Sequence, residues 1–286
     1  MKKLLIFFIL VILISSYFGT AGAIILKIED KDIDSEVENL DFTHSVLAEQ
    51  CTATWCPNCP MAAGALRSIY ESGDYPFYYV AHVDDMNPIA KERNRDYSFG
   101  FYAIYAFPTV YFDGGNTNFV GRMMTVEATE DEYREIIEDE GQRATKQPIT
   151  LDSSVSWDGN AKITVNIIAT NEGSKPYFGK IRSFVTEIES RWIDNDGDPY
   201  RFAFLDYAIN QFVLLMPNSP KTLTGVFDGN DDHEGITYED ISQDNIQVVS
   251  SISHWIPQFR DGYQSGQYNQ KYLSFAVDQA TSSIPE

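Results

Sequence analysis

Cysteine is scarce in this chain. Of 286 residues only Cys51, Cys56 and Cys59 carry a thiol, and none follows position 59. A disulfide framework is thereby excluded, so any cysteine chemistry must be local. A zinc site built from two cysteine pairs is excluded with it, because the single C-x-x-C has no counterpart. Positive charge is short as well: 21 Lys and Arg stand against 42 Asp and Glu, a net charge of −21. Gripping a phosphate backbone takes clustered cations, so nucleic acid is not expected as a partner. Long apolar runs are missing beyond the N-terminus, and neither an internal repeat nor a low-complexity segment is present. What the chain does have is core material, 43% hydrophobic and 14% aromatic residues, enough at this length for two domains.

Lys2 and Lys3 precede an apolar run from Leu4 to Ile14, and small residues lead to Ala21-Gly22-Ala23. This order matches a secretory signal over 1–23 with an A-x-A cleavage site; the alternative is an uncleaved anchor, the only membrane contact expected. Either way the chain is expected outside the cytoplasm, where disulfides persist. Residues 24–41 form an acidic lead-in, with seven acids between Glu29 and Asp41, read as a solvated segment.

From residue 42 to about 146 strand and helix patterns alternate. Phe42 to Cys51 reads as a buried strand and Cys56 to Ser72 as a helix stopped by Gly73. Phe77 to Val83 reads as a strand, Pro88 to about Tyr102 as a helix, Thr109 to Phe112 and Asn118 to Val120 as a strand pair. A last helix starts at Thr129, whose hydroxyl is answered by Glu132 in a capping box. From 147 to 286 the pattern is short β runs: Ile149 to Trp157, Ala161 to Thr170, Gly179 to Glu189, Arg201 to Tyr207, Gln211 to Leu215, Lys221 to Phe227, Gln247 to Ser253 and Tyr272 to Val277. The expected architecture is therefore an α/β domain over 42–146, a central mixed sheet flanked by helices, followed by an all-β sandwich over 147–286 resembling immunoglobulin or fibronectin type III modules.

The stretch Trp55-Cys56-Pro57-Asn58-Cys59 carries the chemistry. Where a strand enters a helix, unpaired amides and the helix dipole favour thiolate at the first cysteine. Cys56 is thus the expected nucleophile. With two residues between them, Cys59 can close a small disulfide or resolve a mixed one. This motif at a strand-to-helix junction, followed by Ala106-Phe107-Pro108-Thr109, resembles the thioredoxin superfamily. Together with Glu49 to Pro60 and Tyr79-Val80-Ala81-His82 it is similar to exported two-domain members catalogued as outer membrane proteins of bacteria. The resemblance implies a cis Pro108 facing the bridge, with Phe107 and Thr109 flanking it and offering backbone to a substrate. It implies Trp55 as cover and Pro57 and Asn58 as the pair that tunes redox poise. The superfamily carries a buried aspartate six residues before the first cysteine; here Gln50 stands there, with Glu49 beside it as the candidate for moving protons.

Other readings attach to the same residues. Cys56, Cys59 and His82 could together deliver Cu(I), and the bridge could be structural in a non-enzymatic surface or adhesion protein. Cys51 reads as a buried apolar thiol that cannot reach the other two. Asp194, Asp196 and Asp198 could converge on calcium, although the Gly and Glu positions of an EF-hand are filled by Pro199 and Leu205. The aromatic run from Trp255 to Tyr272 reads as packing, or as a carbohydrate or partner surface. The expected function is an exported thiol–disulfide oxidoreductase, a reductase or isomerase acting on protein disulfides with an unidentified redox partner. It needs no cofactor, since electrons travel through the cysteine pair.

Overall fold

The computed structural model describes residues 41–97, 106–144, 147–262 and 270–286. The secretory signal, all but the last residue of the acidic lead-in, and the continuation of the second helix beyond residue 97 lie outside the described residues.

The first elements follow the order read from the sequence: β1 (Val46–Thr52), α1 (Cys59–Ser72), β2 (Phe77–Val83), α2 (Pro88–Asp96), β3 (Thr109–Phe112), β4 (Thr117–Val120) and α3 (Val126–Gly141). Every residue of β1 is buried. It runs parallel to β2 and antiparallel to β3, and is covered on both faces. Alternation along β1 sorts its side chains. Val46 and Ala48 join Ala62, Ala65, Leu66 and Ile69 of α1 in one cluster, whereas Leu47 joins Val80 and Ala90 on the α2 side.

Helix termini are set by local chemistry. Helix α1 begins at Cys59 rather than Cys56, with Pro60 in its first turn, and stops at Gly73, whose φ of 67° only glycine adopts cheaply. The Asn87 carboxamide caps α2 by accepting from the Ile89 and Ala90 amides, with Pro88 at the first helical position. Helix α3 starts a turn earlier than the sequence indicates, because Thr125 and not Thr129 caps it by accepting from the Ala128 amide. Thr129 is buried inside the helix, its hydroxyl donating to the Thr125 carbonyl at 2.8 Å.

Beyond α3 come β5 (Ile149–Gly159), β6 (Lys162–Asn171), β7 (Tyr177–Ile193), β8 (Pro199–Leu215), β9 (Lys221–Asp228), β10 (Ile246–His254), β11 (Gln258–Gly262), β12 (Gln270–Ser274) and β13 (Val277–Ser283). Here the expected fold class is corrected. The strands do not close into an immunoglobulin- or fibronectin-like sandwich beside a separate small α/β domain. They extend the first sheet into one eight-stranded mixed sheet of order β13-β10-β7-β8-β2-β1-β3-β4. The physical cause is the length of β7 and β8, 17 residues each. The two runs read as separate, Arg201 to Tyr207 and Gln211 to Leu215, are one continuous strand. It reaches far enough to lie parallel to β2, with Ala203 opposite Ala81.

The remaining strands β5-β6-β9 form a three-stranded sheet over the far half of the large one, and β11-β12 a hairpin. The cores interlock. Ala81 and Val83 of β2 share a cluster with Ile163, Val165 and Ile167 of β6 and with Leu205 and Ile209 of β8, and Phe202 of β8 packs with the α1 cluster. The described residues from 41 to 286 form one compact unit.

Candidate functional site

Strand β1 delivers the chain to a turn in which the Cys56 amide donates to the Ala53 carbonyl at 3.1 Å and the Cys59 amide to the Cys56 carbonyl at 3.3 Å. Two residues missed by sequence reasoning brace that turn. Tyr200 of β8 donates its hydroxyl to the Ala53 carbonyl at 3.1 Å while accepting from Thr52 Oγ1 at 2.9 Å. Arg122 donates from Nε to Asn58 Oδ1 at 3.0 Å. Asn58 occupies the N-cap position of α1 without capping it. Its carbonyl oxygen instead holds a guanidinium beside the cysteine loop, the kind of neighbour that favours thiolate.

Cys56 and Cys59 are joined in a disulfide, with Cα atoms 5.5 Å apart. The bridge sits at the start of α1, on the positive end of the helix dipole. Around it Trp55, Pro57 and Asn58 are exposed, but the sulfurs are not: Cys56 is 2% exposed and Cys59 0%. Cys56 is therefore less accessible than a nucleophile at a helix tip is expected to be. The cover is Phe107, which packs against Ala53, Cys56 and Cys59. Its ring lies edge-on to that of Trp55, centroids 5.8 Å apart, and Trp55 is itself 62% exposed. The Phe107–Pro108 peptide is cis. Thr109 Oγ1 pins this turn by donating to the Ala106 carbonyl at 2.7 Å, and the Pro108 carbonyl accepts from the Gly121 amide at 2.7 Å.

Glu49 and His82 are not brought to the bridge. Both side chains lie on the α2 face of the sheet, opposite α1. Glu49 accepts from Arg93 Nε and Nη2 and from the Tyr97 hydroxyl, all at 2.7 Å, and from His82 Nε2 at 3.1 Å. Burial pushes this carboxyl up, but the Arg93 guanidinium and the hydrogen bonds outweigh it and hold Glu49 well below the usual carboxylate range. A group kept ionised by four donors is a structural anchor, not a proton carrier. Burial between Phe184 and Phe204 lowers His82, against the upward pull of Glu49. With its Nε2 on Glu49 and its ring across the sheet from the cysteines, His82 cannot complete a Cu(I) set with them.

On the α1 face the strand offers Gln50, buried at 0% exposure with neither amide atom hydrogen-bonded. Strand β1 and helix α1 are joined by a short loop and run back on each other, so Gln50 lies near the Cys59 end of the helix. Cys51 is a free buried thiol that donates to Asn94 Oδ1 at 2.8 Å, and burial pushes it well above the usual thiol range. Asp194 is consumed by its own turn, where Oδ1 accepts from the Asp196 and Asp198 amides. Among the described residues no group of His, Cys, Asp and Glu is arranged to hold a metal, and this applies to Asp194, Asp196 and Asp198.

No family profile matches the sequence, and no curated protein does. Among solved structures, HBP35 of Porphyromonas gingivalis aligns with a TM-score of 0.57 at 12% identity, over 85% of this chain and 76% of that one. A structural-genomics protein of Agrobacterium tumefaciens aligns at 0.46 and 16% identity, over 85% and 95%. A β-glucosidase of Kluyveromyces marxianus aligns at 0.28 and 13% identity, over 50% and 14%. The likeness to HBP35 is one of fold. It corrects the resemblance to the thioredoxin superfamily and its exported two-domain members: the likeness, over 85% of this chain, is to HBP35, and the sheet of eight strands is not the small fold which that resemblance implied.

Proposed function

We propose that the chain is an extracytoplasmic thiol–disulfide oxidoreductase acting on protein disulfides through Cys56 and Cys59. The observation that supports this reading is the Cys56–Cys59 bridge at the head of α1, with Arg122 held beside its loop and Phe107 packed over it. In the reducing direction Cys56 thiolate attacks one sulfur of a substrate disulfide, and the other substrate sulfur leaves as a thiolate that takes up a proton. Cys59, deprotonated, then attacks Cys56 Sγ, breaking the mixed disulfide and releasing the second substrate thiolate. Two electrons pass to the substrate and the bridge is restored; a thiol partner outside this chain must reduce it again. The exchange also runs in reverse. Because the bridge is covered, a substrate sulfur reaches Cys56 only when Phe107 moves aside, and binding of the substrate chain supplies that displacement.

The covered sulfurs also favour a second reading, a structural bridge in a non-enzymatic binding protein. Replacement of Cys56 by Ser separates the two. Under the enzymatic reading, Cys56→Ser abolishes reduction of insulin disulfides in the presence of dithiothreitol while circular dichroism is unchanged; full activity in the variant would reject it.

A further inference from the structure

A groove runs along the partly exposed side of α1 and begins at the cysteine pair. Pro60 and Met61, the two residues after Cys59, line its near end, Val126 of α3 lines it farther on, and the turn between β7 and β8, Asp194 to Asp198, borders it; its volume is about 340 Å³. Gly64 adds no side chain there, and a Cβ at that position would come within 3.3 Å of Val126. The β7–β8 turn belongs to the second half of the chain, and Tyr200 ties it to the cysteine loop. This phenol donates to the Ala53 carbonyl at 3.1 Å. Burial above all pushes it up, and the Asp194 and Asp85 carboxylates add to that rise against the Thr52 hydrogen bond. Asp85 in turn accepts from the Thr54 amide at 3.0 Å. Acids therefore stand beside the loop that leads to Trp55 and Cys56.

The charge of the groove is unbalanced. Its two cations are already engaged, Arg67 by Glu71 at 2.8 Å and Arg201 by Glu189 at 3.4 Å. Asp194 folds its Oδ1 onto the Asp196 and Asp198 amides. Asp196 and Asp198 join that turn through backbone alone; both are exposed and, among the described residues, neither is in an ion pair. Like charges gathered without counter-ions repel, and a cationic occupant relieves that repulsion. We propose that the groove takes the stretch of a substrate polypeptide next to its reactive disulfide and selects chains carrying Lys or Arg there. This specificity rests on the exchange function put forward above. A chain whose sulfur meets Cys56 brings its adjoining residues to Pro60 and Met61. From Pro60 to Arg67 the helix spans about 10 Å, the length of about three extended residues. Lysine or arginine stems fit along Met61 and Val126 while their heads reach Asp196 and Asp198. A second copy of the chain fits less well, since its net charge of −21 is repelled by the same acids.

The test uses the full chain and two peptides that hold the same disulfide, its cysteines flanked by lysines in one and by glutamates in the other. Reduction in dithiothreitol, after subtraction of the rate without protein, should favour the lysine peptide in kcat/KM by about tenfold at low ionic strength. The preference should shrink in about 0.5 M salt. Asp196→Asn with Asp198→Asn should remove it by raising KM for the lysine peptide about tenfold. Asp152→Asn with Asp244→Asn changes the net charge equally at exposed positions outside the groove, and should keep the preference. A preference that survives the first pair, or is lost equally to both pairs, would overturn the proposal and leave the exchange function standing. Failure of the parent protein to reduce either peptide would reject the exchange function, and this specificity with it.

Discussion

Gln50 is a side chain able to make several hydrogen bonds, fully buried and making none. An unpaired buried amide costs about 1–3 kcal/mol, so Gln50→Leu should raise the free energy of unfolding by about 1 kcal/mol or more in urea titrations. A loss of stability would mean that the amide has a partner after all. The opposite face of β1 carries the pH dependence. Burial holds His82 below its ordinary value of 6.5, so the unfolded chain takes up a proton that the folded one refuses. The stability this residue contributes is complete above about pH 6.5 and is lost as pH falls from there towards the folded value. Glu49, held below its ordinary 4.5 by Arg93 against the effect of burial, contributes above that range and loses its contribution only as pH falls further. Stability should therefore decline in two stages on acidification. His82→Gln, which keeps a donor for Glu49, should flatten the first stage when unfolding is compared between about pH 7 and pH 5; an unchanged slope would contradict the assignment.

At the scale of elements, what the sequence makes legible is what local chemistry decides. The strand-to-helix passage at the cysteines, the Gly73 stop and the strands Phe77–Val83 and Thr109–Phe112 are written in adjacent residues. So is the pairing of Cys56 with Cys59. The placing of helix starts is less so, since Thr125 and Thr129 are equally plausible caps until packing buries one of them. Partners far along the chain leave no local trace: nothing near Ala53 announces Tyr200, 147 positions away, and nothing in the alternation of β8 tells that Ala203 will face Ala81. That pairing alone separates a continuous sheet from a separate sandwich. Close approach of β9 to β8 is equally silent, yet it makes a sharp prediction. A Cβ at Gly225 would lie 2.1 Å from the Ala208 carbonyl oxygen and 2.5 Å from Ile209. Gly225→Ala should therefore destabilise the fold by about 1–3 kcal/mol, as overpacking does, readable as a lowered thermal midpoint; a neutral result would contradict this seating of the small sheet.

For the whole molecule, the interlocked core makes the cysteine loop part of a larger body than a small redox module. Tyr200 of β8 and Arg122 after β4 both reach the loop, so its rigidity depends on strands from both halves of the chain. The position of the bridge at the head of α1 argues for exchange, and its cover of Phe107, against which Trp55 lies edge-on, argues for exchange that waits on a substrate. The decisive quantity is the midpoint potential of Cys56–Cys59 in the native protein, obtained by equilibrating the folded chain in glutathione or dithiothreitol redox buffers and trapping free thiols. An exchange protein should open reversibly with a midpoint between about −120 and −270 mV. A bridge that stays closed below about −300 mV, or opens only in denaturant, would contradict the proposed function and leave a structural disulfide.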